Sequence, residues 1–372
     1  MNNTELKDII SISKGKKVDD FFPEKSDGSI RFIQIDDLRN DNNLKYTFDK
    51  TGIEVKEKDL IIAWDGANAG TIGYGLKGII GSTLARLIII DDQIYYRYLG
   101  KLLQNKFKYL RSRCTGATIP HISKNVLENL QIPFPSLEVQ KQIADTLDKA
   151  DALRQKRKQS IQLLGDYLKS VFYDMFGDPV INNKKWNLAK FSDVGTLDRG
   201  RSKHRPRNAP HLLGGKYPLI QTGDIANSKG YIRFFSQTYS DEGLKQSKMW
   251  KKGTLCITIA ANIAKTGILT FDACFPDSVV GFIPNSKTNV EYIQYWLSYL
   301  QKRLEDTAPE SAQKNINLEI LRKLIVPIPP ILLQNKFAQI VAQVEQTKSK
   351  MEESLKKIDN LFNSLMNKFF GK

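Results

Sequence analysis

The sequence predicts an α/β or α+β protein in which two globular parts are separated by two long antiparallel coiled-coil helices, arranged as a pseudo-twofold internal repeat. Three observations predict it. The second half of the chain repeats the first. Each repeat closes on a long proline-free stretch with heptad spacing. Ahead of each stretch lie short β-like runs punctuated by Gly, Asn and Asp. The expected order is a globular part over 1–115, a helical region over 116–178, a globular part over 179–306 and a helical region over 307–372.

The repeat emerges when His121 is set over Asn315, a displacement of 194 residues that holds without a gap to the C-terminus. Identities include Ile122 with Ile316, Leu127 with Leu321, Pro133 with Pro327, Gln140 with Gln334 and Phe176 with Phe370. Upstream the likeness is looser. Ile33-Gln34-Ile35-Asp36-Asp37-Leu38 stands opposite Ile220-Gln221-Thr222-Gly223-Asp224-Ile225, and the segment from Asn68 opposite that from Asn262. Fixed-period similarity of this kind marks one structural unit used more than once.

The first globular part has strand signals at Ile30–Ile33, Leu60–Ala63 and Leu87–Ile90. The second has them at Leu255–Ile259, Ile268–Phe271 and Ser278–Phe282. All are β-branched or aromatic runs bounded by turn residues. Each part then ends in an amphipathic helix, Gln93–Arg111 and Val290–Leu304, whose aromatics at helical spacing are read as core.

Each helical region opens on Pro-x-Pro, Pro133-Phe134-Pro135 and Pro327-Ile328-Pro329, which enforces extended backbone before the helix. Ser136 suits an N-cap and Pro330 a first helical turn. Beyond them only Gly165 interrupts before Gly177 and Gly371. A helix of roughly 40 residues is about 60 Å long. The heptad series is filled by Ile143, Leu147, Ile161, Leu164 and Leu168 in the first helix. In the second it is filled by Phe337, Val341, Leu355, Ile358 and Phe362. Two such seams bury one another if the helices pack antiparallel, so these ten residues are expected to carry helix pairing and partner docking. A cation recurs at one register position, Arg154 and Lys348, and is expected to reach the rim or pair with a carboxylate.

The chain has 372 residues, 56 Lys and Arg against 40 Asp and Glu, and a net charge of +16. With 41% hydrophobic residues it can build real cores, so a disordered polycation is excluded. No stretch approaches 18 uncharged apolar residues, so no membrane-spanning helix is expected. Met1-Asn2-Asn3-Thr4-Glu5 is not read as a signal peptide. Cys114, Cys256 and Cys274 are far apart and odd in number, pointing to a reducing cytoplasm. A basic protein of this size most often meets nucleic acid. The expected contacts are Arg199, Arg201, Lys203, Arg205 and Arg207 in a loop rich in Gly and Pro, and Lys14, Lys16 and Lys17 at the equivalent place in the first half. Arg suits guanine edges and Lys suits phosphates. Gln34 with Gln221, and Asn68 with Asn262, offer groups that read adenine, but their recurrence in both halves favours a structural role in turns.

No catalytic residue is assigned. There is no phosphate-binding Walker run, and Gly66-Ala67-Asn68-Ala69-Gly70 is not a dinucleotide fingerprint. No Asn/Asp-Pro-Pro-aromatic motif is present. Glu54-Val55-Lys56 lacks the Pro-Asp partner of a nuclease site. His121, His204 and His211 show no metal-ligand spacing with the cysteines, so no metal site is expected.

Several segments now carry a resemblance: Thr115-Gly116-Ala117-Thr118-Ile119-Pro120-His121-Ile122, Ile132-Pro133-Phe134-Pro135 followed by Glu138-Val139-Gln140-Lys141-Gln142-Ile143, and Phe176-Gly177-Asp178-Pro179 followed by Trp186. Further segments are Ala260-Ala261-Asn262-Ile263-Ala264 and Pro276-Asp277-Ser278-Val279-Val280-Gly281-Phe282. In their order and duplication they resemble the specificity subunit of type I restriction–modification enzymes, over essentially the whole chain. The departure is Ala312-Gln313-Lys314-Asn315, standing where the first repeat has Thr118-Ile119-Pro120-His121. The resemblance implies two target recognition domains, each reading one half of a split site in double-stranded DNA. It also implies that the helical regions set the unread spacer and bind two modification subunits, adenine methyltransferases that use S-adenosylmethionine. Restriction and translocase subunits then join through that core and use ATP and Mg²⁺. The chain itself is expected to be a non-catalytic cytoplasmic subunit with no cofactor and no membrane contact. Two other readings stand beside this one: a self-sufficient DNA methyltransferase or nuclease, and a decoy that occupies partner subunits.

Overall fold

The computed structural model describes residues 3–116, 118–260, 264–307 and 316–371. The chain divides into two compact units: Met1–Lys158 with Glu353–Lys372, and Gln159–Glu352. The units cut across both long helices, so each holds one globular part and a piece of each helix.

In the first unit, strands Ile10–Lys14, Leu84–Ile89, Leu60–Ala63 and Ile72–Tyr74 form an antiparallel sheet in that order. A second sheet has the order Tyr46–Thr47, Ile30–Ile33, Gly78–Ile80, Ile53–Val55, with one parallel pairing between Ile30–Ile33 and Gly78–Ile80. Leu60–Ala63 is buried along its whole length. Side chains alternate across a strand, so Leu60 and Ile62 enter the core shared with the helices while Ile61 and Ala63 face Val55 and Ile80. The run lies between two layers, which is why it is uniformly apolar.

The second unit repeats this plan. Gly195–Arg199, Val279–Pro284, Leu255–Thr258 and Thr266–Leu269 stand where the first sheet stood, and Gly230–Ile232 adds a fifth, parallel strand. The second sheet runs Gln237–Tyr239, Leu213–Leu219, Ala273–Cys274, Met249–Trp250. Most pairings are antiparallel, which places the fold in the α+β class.

The amphipathic helix expected over Gln93–Arg111 differs from the structure. It begins at Tyr96, runs to Asn105, and resumes as Phe107–Ser112 after a break at Lys106. The late start has a physical cause. The Asp91 side chain accepts the Gln93 N–H at 2.8 Å in a turn, and the Gln93 carbonyl, which a helix begun there would give to Arg97, accepts from a side chain of the central helix. The second unit has one continuous helix here, Val290–Thr307.

That side chain belongs to Gln140, and the arrangement occurs twice. The central helix, Leu137–Phe176, and the C-terminal helix, Ile331–Phe370, are each 40 residues long. Gln140 and Gln334 sit in their first turns, both fully buried. Gln140 Oε1 accepts the Tyr95 N–H at 2.9 Å, and its Nε2 donates to the carbonyls of Gln93 and Pro135, each at 2.9 Å. Gln334 Oε1 accepts the Asn289 N–H at 2.9 Å, and its Nε2 donates to Lys287 at 3.1 Å and Pro329 at 2.8 Å. The Tyr98 and Tyr292 hydroxyls complete each joint by donating to the carbonyls of Pro133 and Pro327. Pro135 and Pro329 have carbonyls but no N–H, so they serve this joint as acceptors alone.

Within each unit the helix pieces pack antiparallel. Ile143 and Leu147 share a core with Met366 and Phe370. Phe337 and Val341 share one with Leu168, Phe172 and Phe176. The displacement of 194 residues turns one set into the other. Leu164 and Phe362 pack against these cores from the edge, Ile358 is buried, and Ile161 and Leu355 are half-buried. Both register cations are paired. Arg154 Nε bonds Asp359 Oδ1 at 2.7 Å and Nη1 bonds Asp151 Oδ1 at 2.9 Å, over the Phe362 ring. Lys348 bonds Glu345 on its own helix at 3.2 Å, and Glu345 also holds Arg233 at 2.8 Å. Where the first unit has Asp359, the second has Gly165, beside a hollow of about 220 Å³ that Tyr231, Tyr295 and Lys348 also line. No helix among the described residues is long and apolar enough to cross a membrane.

Replacing Gln140 by Met keeps the volume but strands one amide and two carbonyls out of water. A loss of about 2–4 kcal/mol is expected from such unsatisfied groups. Urea unfolding will show a lowered midpoint for Gln140→Met, while Gln142→Met, on the exposed face of the same turn, leaves it unchanged.

Candidate nucleic-acid interface

The two basic loops leave the same place in each unit. Lys14 ends the edge strand of the first sheet and pairs opposite Ala85; Arg199 ends its counterpart opposite Val280. The next residue is glycine in both, and its amide donates at 2.9 Å to Leu84 or to Val279. A Cβ on Gly15 would run into the Gly81 carbonyl, and one on Gly200 into those of Phe275 and Pro276. The chain therefore turns off each sheet by a close approach that only glycine permits. Lys14 and Arg199 are equivalent, as are Lys16 and Arg201.

The side chains are not equally available. In the second unit Asp277 draws in three arginines. Arg199 Nε donates to its carbonyl at 2.9 Å, and Arg205 and Arg207 reach its carboxylate at 3.3 and 2.5 Å. Arg205, itself exposed, also donates to the carbonyls of Ser202 and His204, so it braces the loop through its own backbone. Arg201 and Lys203 are exposed. In the first unit Lys14 lies 3.0 Å from Asp65 and Lys17 2.5 Å from Asp19, while Lys16 is exposed. Asp65 has a second partner: His121 Nδ1 lies 2.6 Å from its other oxygen. His121 thus clasps the segment before the central helix onto the globular part. Asp277 and Asp65 are the residues that sequence reasoning missed. Each lies far along the chain from the cations it gathers, and no local spacing signals the encounter.

Gln34 and Gln221 sit at the start of short helical turns. Their backbone N–H groups donate to Asp37 at 2.7 Å and Asp224 at 2.8 Å. The turn role expected of them is what the structure displays. Their side chains nonetheless point at neighbours: Gln34 Oε1 accepts from Lys45 Nζ at 2.5 Å, and Gln221 Nε2 donates to Gln237 Oε1 at 3.1 Å. Gln34 also borders a hollow of about 320 Å³ with Lys17, Phe21, Ser82 and Thr83. Asn68 accepts from Arg39 at 2.5 Å; Asn262 and Asn315 lie outside the described residues.

Among the described residues no group of three or more His, Cys, Asp and Glu side chains is placed to hold a metal ion. Cys256 is fully buried, and burial pushes its thiol far above the ordinary range, away from the nucleophilic thiolate. Cys274 is raised for the same reason.

A family model described as the type I restriction modification DNA specificity domain matches residues 1–163 and 183–360. The chain is similar to the MjaVIII specificity subunit of Methanocaldococcus jannaschii, a type I restriction enzyme subunit, with 28% identity covering 95% of this chain and 90% of the relative. It is 22% identical to the EcoBI specificity subunit of Escherichia coli, over 94% of this chain and 81% of that one. Among solved structures, the type I S subunit of M. genitalium aligns with a TM-score of 0.63 at 15% identity, covering 100% of this chain and 96% of that chain. A chain solved in work on complex assembly and conformational transition of the type I system aligns with a TM-score of 0.59 at 16% identity, over 99% and 97%. At these identities the structures establish a shared fold.

The division of the basic residues into free and braced makes a prediction. Replacing Arg201 and Lys203 together by Ala will flatten the dependence of log affinity on log salt by up to about 2, at roughly 0.9 per phosphate contact. Replacing Arg205 and Arg207 instead will loosen the loop around Asp277 and lower the melting temperature. DNA-binding titrations at three salt concentrations, with thermal melts, separate the two effects.

Proposed function

The chain belongs to the type I restriction modification DNA specificity family, and on that premise we propose that it is the sequence-reading subunit of a type I restriction–modification complex. Each globular part reads one half of a split DNA site. The paired helices set the unread spacer and dock two adenine-methylating subunits, through which restriction subunits join. S-adenosylmethionine, ATP and Mg²⁺ act on those partners, and this chain contributes recognition without catalysis, in the cytoplasm.

One observation carries the reading. The same frame, with Gly15 or Gly200 at the turn and Gln34 or Gln221 above an Asp, is built twice, while the basic side chains on it differ. A module copied for stability alone has no reason to keep its frame and change its tips. Two readers of unlike half-sites require that combination. Lys and Arg at the loop tips supply the phosphate attraction and the guanine contacts that reading demands.

Support for docking comes from the outer face of the helices. Val139, Leu153 and Tyr167 recur at intervals of two heptads, and each is exposed, Leu153 by 46% and Tyr167 by 52%. Leu361, the counterpart of Tyr167, is exposed by 54%. Exposed apolar side chains on the helix pieces of either unit are suited to receive partner helices.

Methylome sequencing of cells carrying the chain with its modification subunits should show one split, asymmetric motif that vanishes with the chain. Absence of such a motif overturns the proposal. Leu153→Asp with Tyr167→Asp should abolish co-elution with the modification subunit while leaving the fold intact by circular dichroism. Undiminished co-elution removes these side chains from the docking surface.

A further inference from the structure

We infer that Lys45 in the first unit and Gln237 in the second occupy equivalent base-reading stations, so that the exchange of one side chain for the other is one of the differences between the half-sites. The inference rests on the function proposed above.

Equivalence follows from the sheets. The Phe32 amide donates to the Lys45 carbonyl at 2.7 Å, so Lys45 lies opposite Phe32. Gln237 lies opposite Leu219 in the corresponding ladder. Two residues beyond Phe32 stands Gln34, and two beyond Leu219 stands Gln221. Each of these glutamines is anchored through its backbone to the Asp three residues on, and each turns its side-chain amide to the residue at the station. The holder is the same and the group held differs.

The surroundings suit contact with a base. The Lys45 ammonium stands 5.0 Å from the centroid of the Phe21 ring, beside the hollow that Gln34 shares with Lys17. Lys45 is half-buried, so its ammonium is positioned and not swept through solvent. In the second unit Gln237 is exposed, and the basic loop lies close: the Arg201 amide donates to Phe275, next to Cys274, whose carbonyl takes the Ile220 amide. A basic loop that engages the backbone thus borders each station.

The chemistry of the two groups assigns them different bases. An ammonium carries donors only and complements the paired acceptors N7 and O6 of guanine. A carboxamide carries a donor and an acceptor and complements N7 and N6 of adenine. The station is therefore expected to read guanine in the half-site of the first unit and adenine in that of the second.

The test uses the complex with its modification subunits, read by methylome sequencing and by selection of bound duplexes from a randomised pool. Lys45→Gln should switch preference from guanine to adenine at one position of one half-site by about tenfold or more, leaving the other half unchanged. Gln237→Lys should make the reciprocal change in the other half. Lys45→Ala, checked by thermal melting, should relax the same position without imposing a new base. Unchanged motifs in these variants overturn the inference. So does a uniform loss of affinity at every position by a folded variant, which the binding selection detects even where methylation is lost. A wild-type complex with no split motif refutes the proposed function itself, a separate outcome.

Discussion

Two buried carboxamides hold this molecule together at its most demanding points. A long helix must leave a globular part at a set angle, across a Pro-x-Pro segment that no helical hydrogen bonding can stiffen. Gln140 and Gln334 meet that demand by accepting one amide and donating to two carbonyls in a space without water. In such a setting a made bond is strong and an unmade one costly, so the joint has one satisfied geometry. Every partner is a main-chain group. The side chains at the equivalent positions, Gln93 and Lys287 or Tyr95 and Asn289, differ without consequence for the joint. The two globular parts differ at these positions while their seating is the same.

The same separation of frame from tip runs through the basic loops. Gly15 and Gly200 fix where the chain departs, and Asp37 and Asp224 fix the turn beneath the glutamines. What rides on that frame varies: three cations near one aspartate in the second unit, a looser set of lysines in the first. Charge alone made the loops look alike. Their partners divide them into residues paired with an acidic side chain or a loop carbonyl and residues such as Arg201, Lys203 and Lys16 that face solvent.

Much of this was legible in the amino-acid sequence. Ile30–Ile33 and Leu60–Ala63 appear as strands at the limits expected, because period and turn residues act locally. The heptad register, the antiparallel pairing and the equivalence of the basic loops were also readable, since duplication displays each twice. The start of the helix at Tyr96 was not, because a side chain 47 residues away takes the Gln93 carbonyl. Nor was the hold of Asp277 on arginines 70 or more residues earlier. The identity of Gln140 with Gln334 was visible, but a glutamine among charged neighbours does not announce burial.

Gly165 stands opposite the logic of the rest. It occupies the central helix at the position where the C-terminal helix has Asp359, and a Cβ there would meet nothing. Glycine within a helix forfeits about 1 kcal/mol relative to alanine. Asp359, in contrast, is tethered by Arg154. The two helices therefore differ at this register position: the central one carries no side chain there, and the C-terminal one is held by an ion pair. Alanine at position 165 would thus meet no neighbour and favour the helix, whereas alanine at position 359 would leave Arg154 with Asp151 as its carboxylate partner.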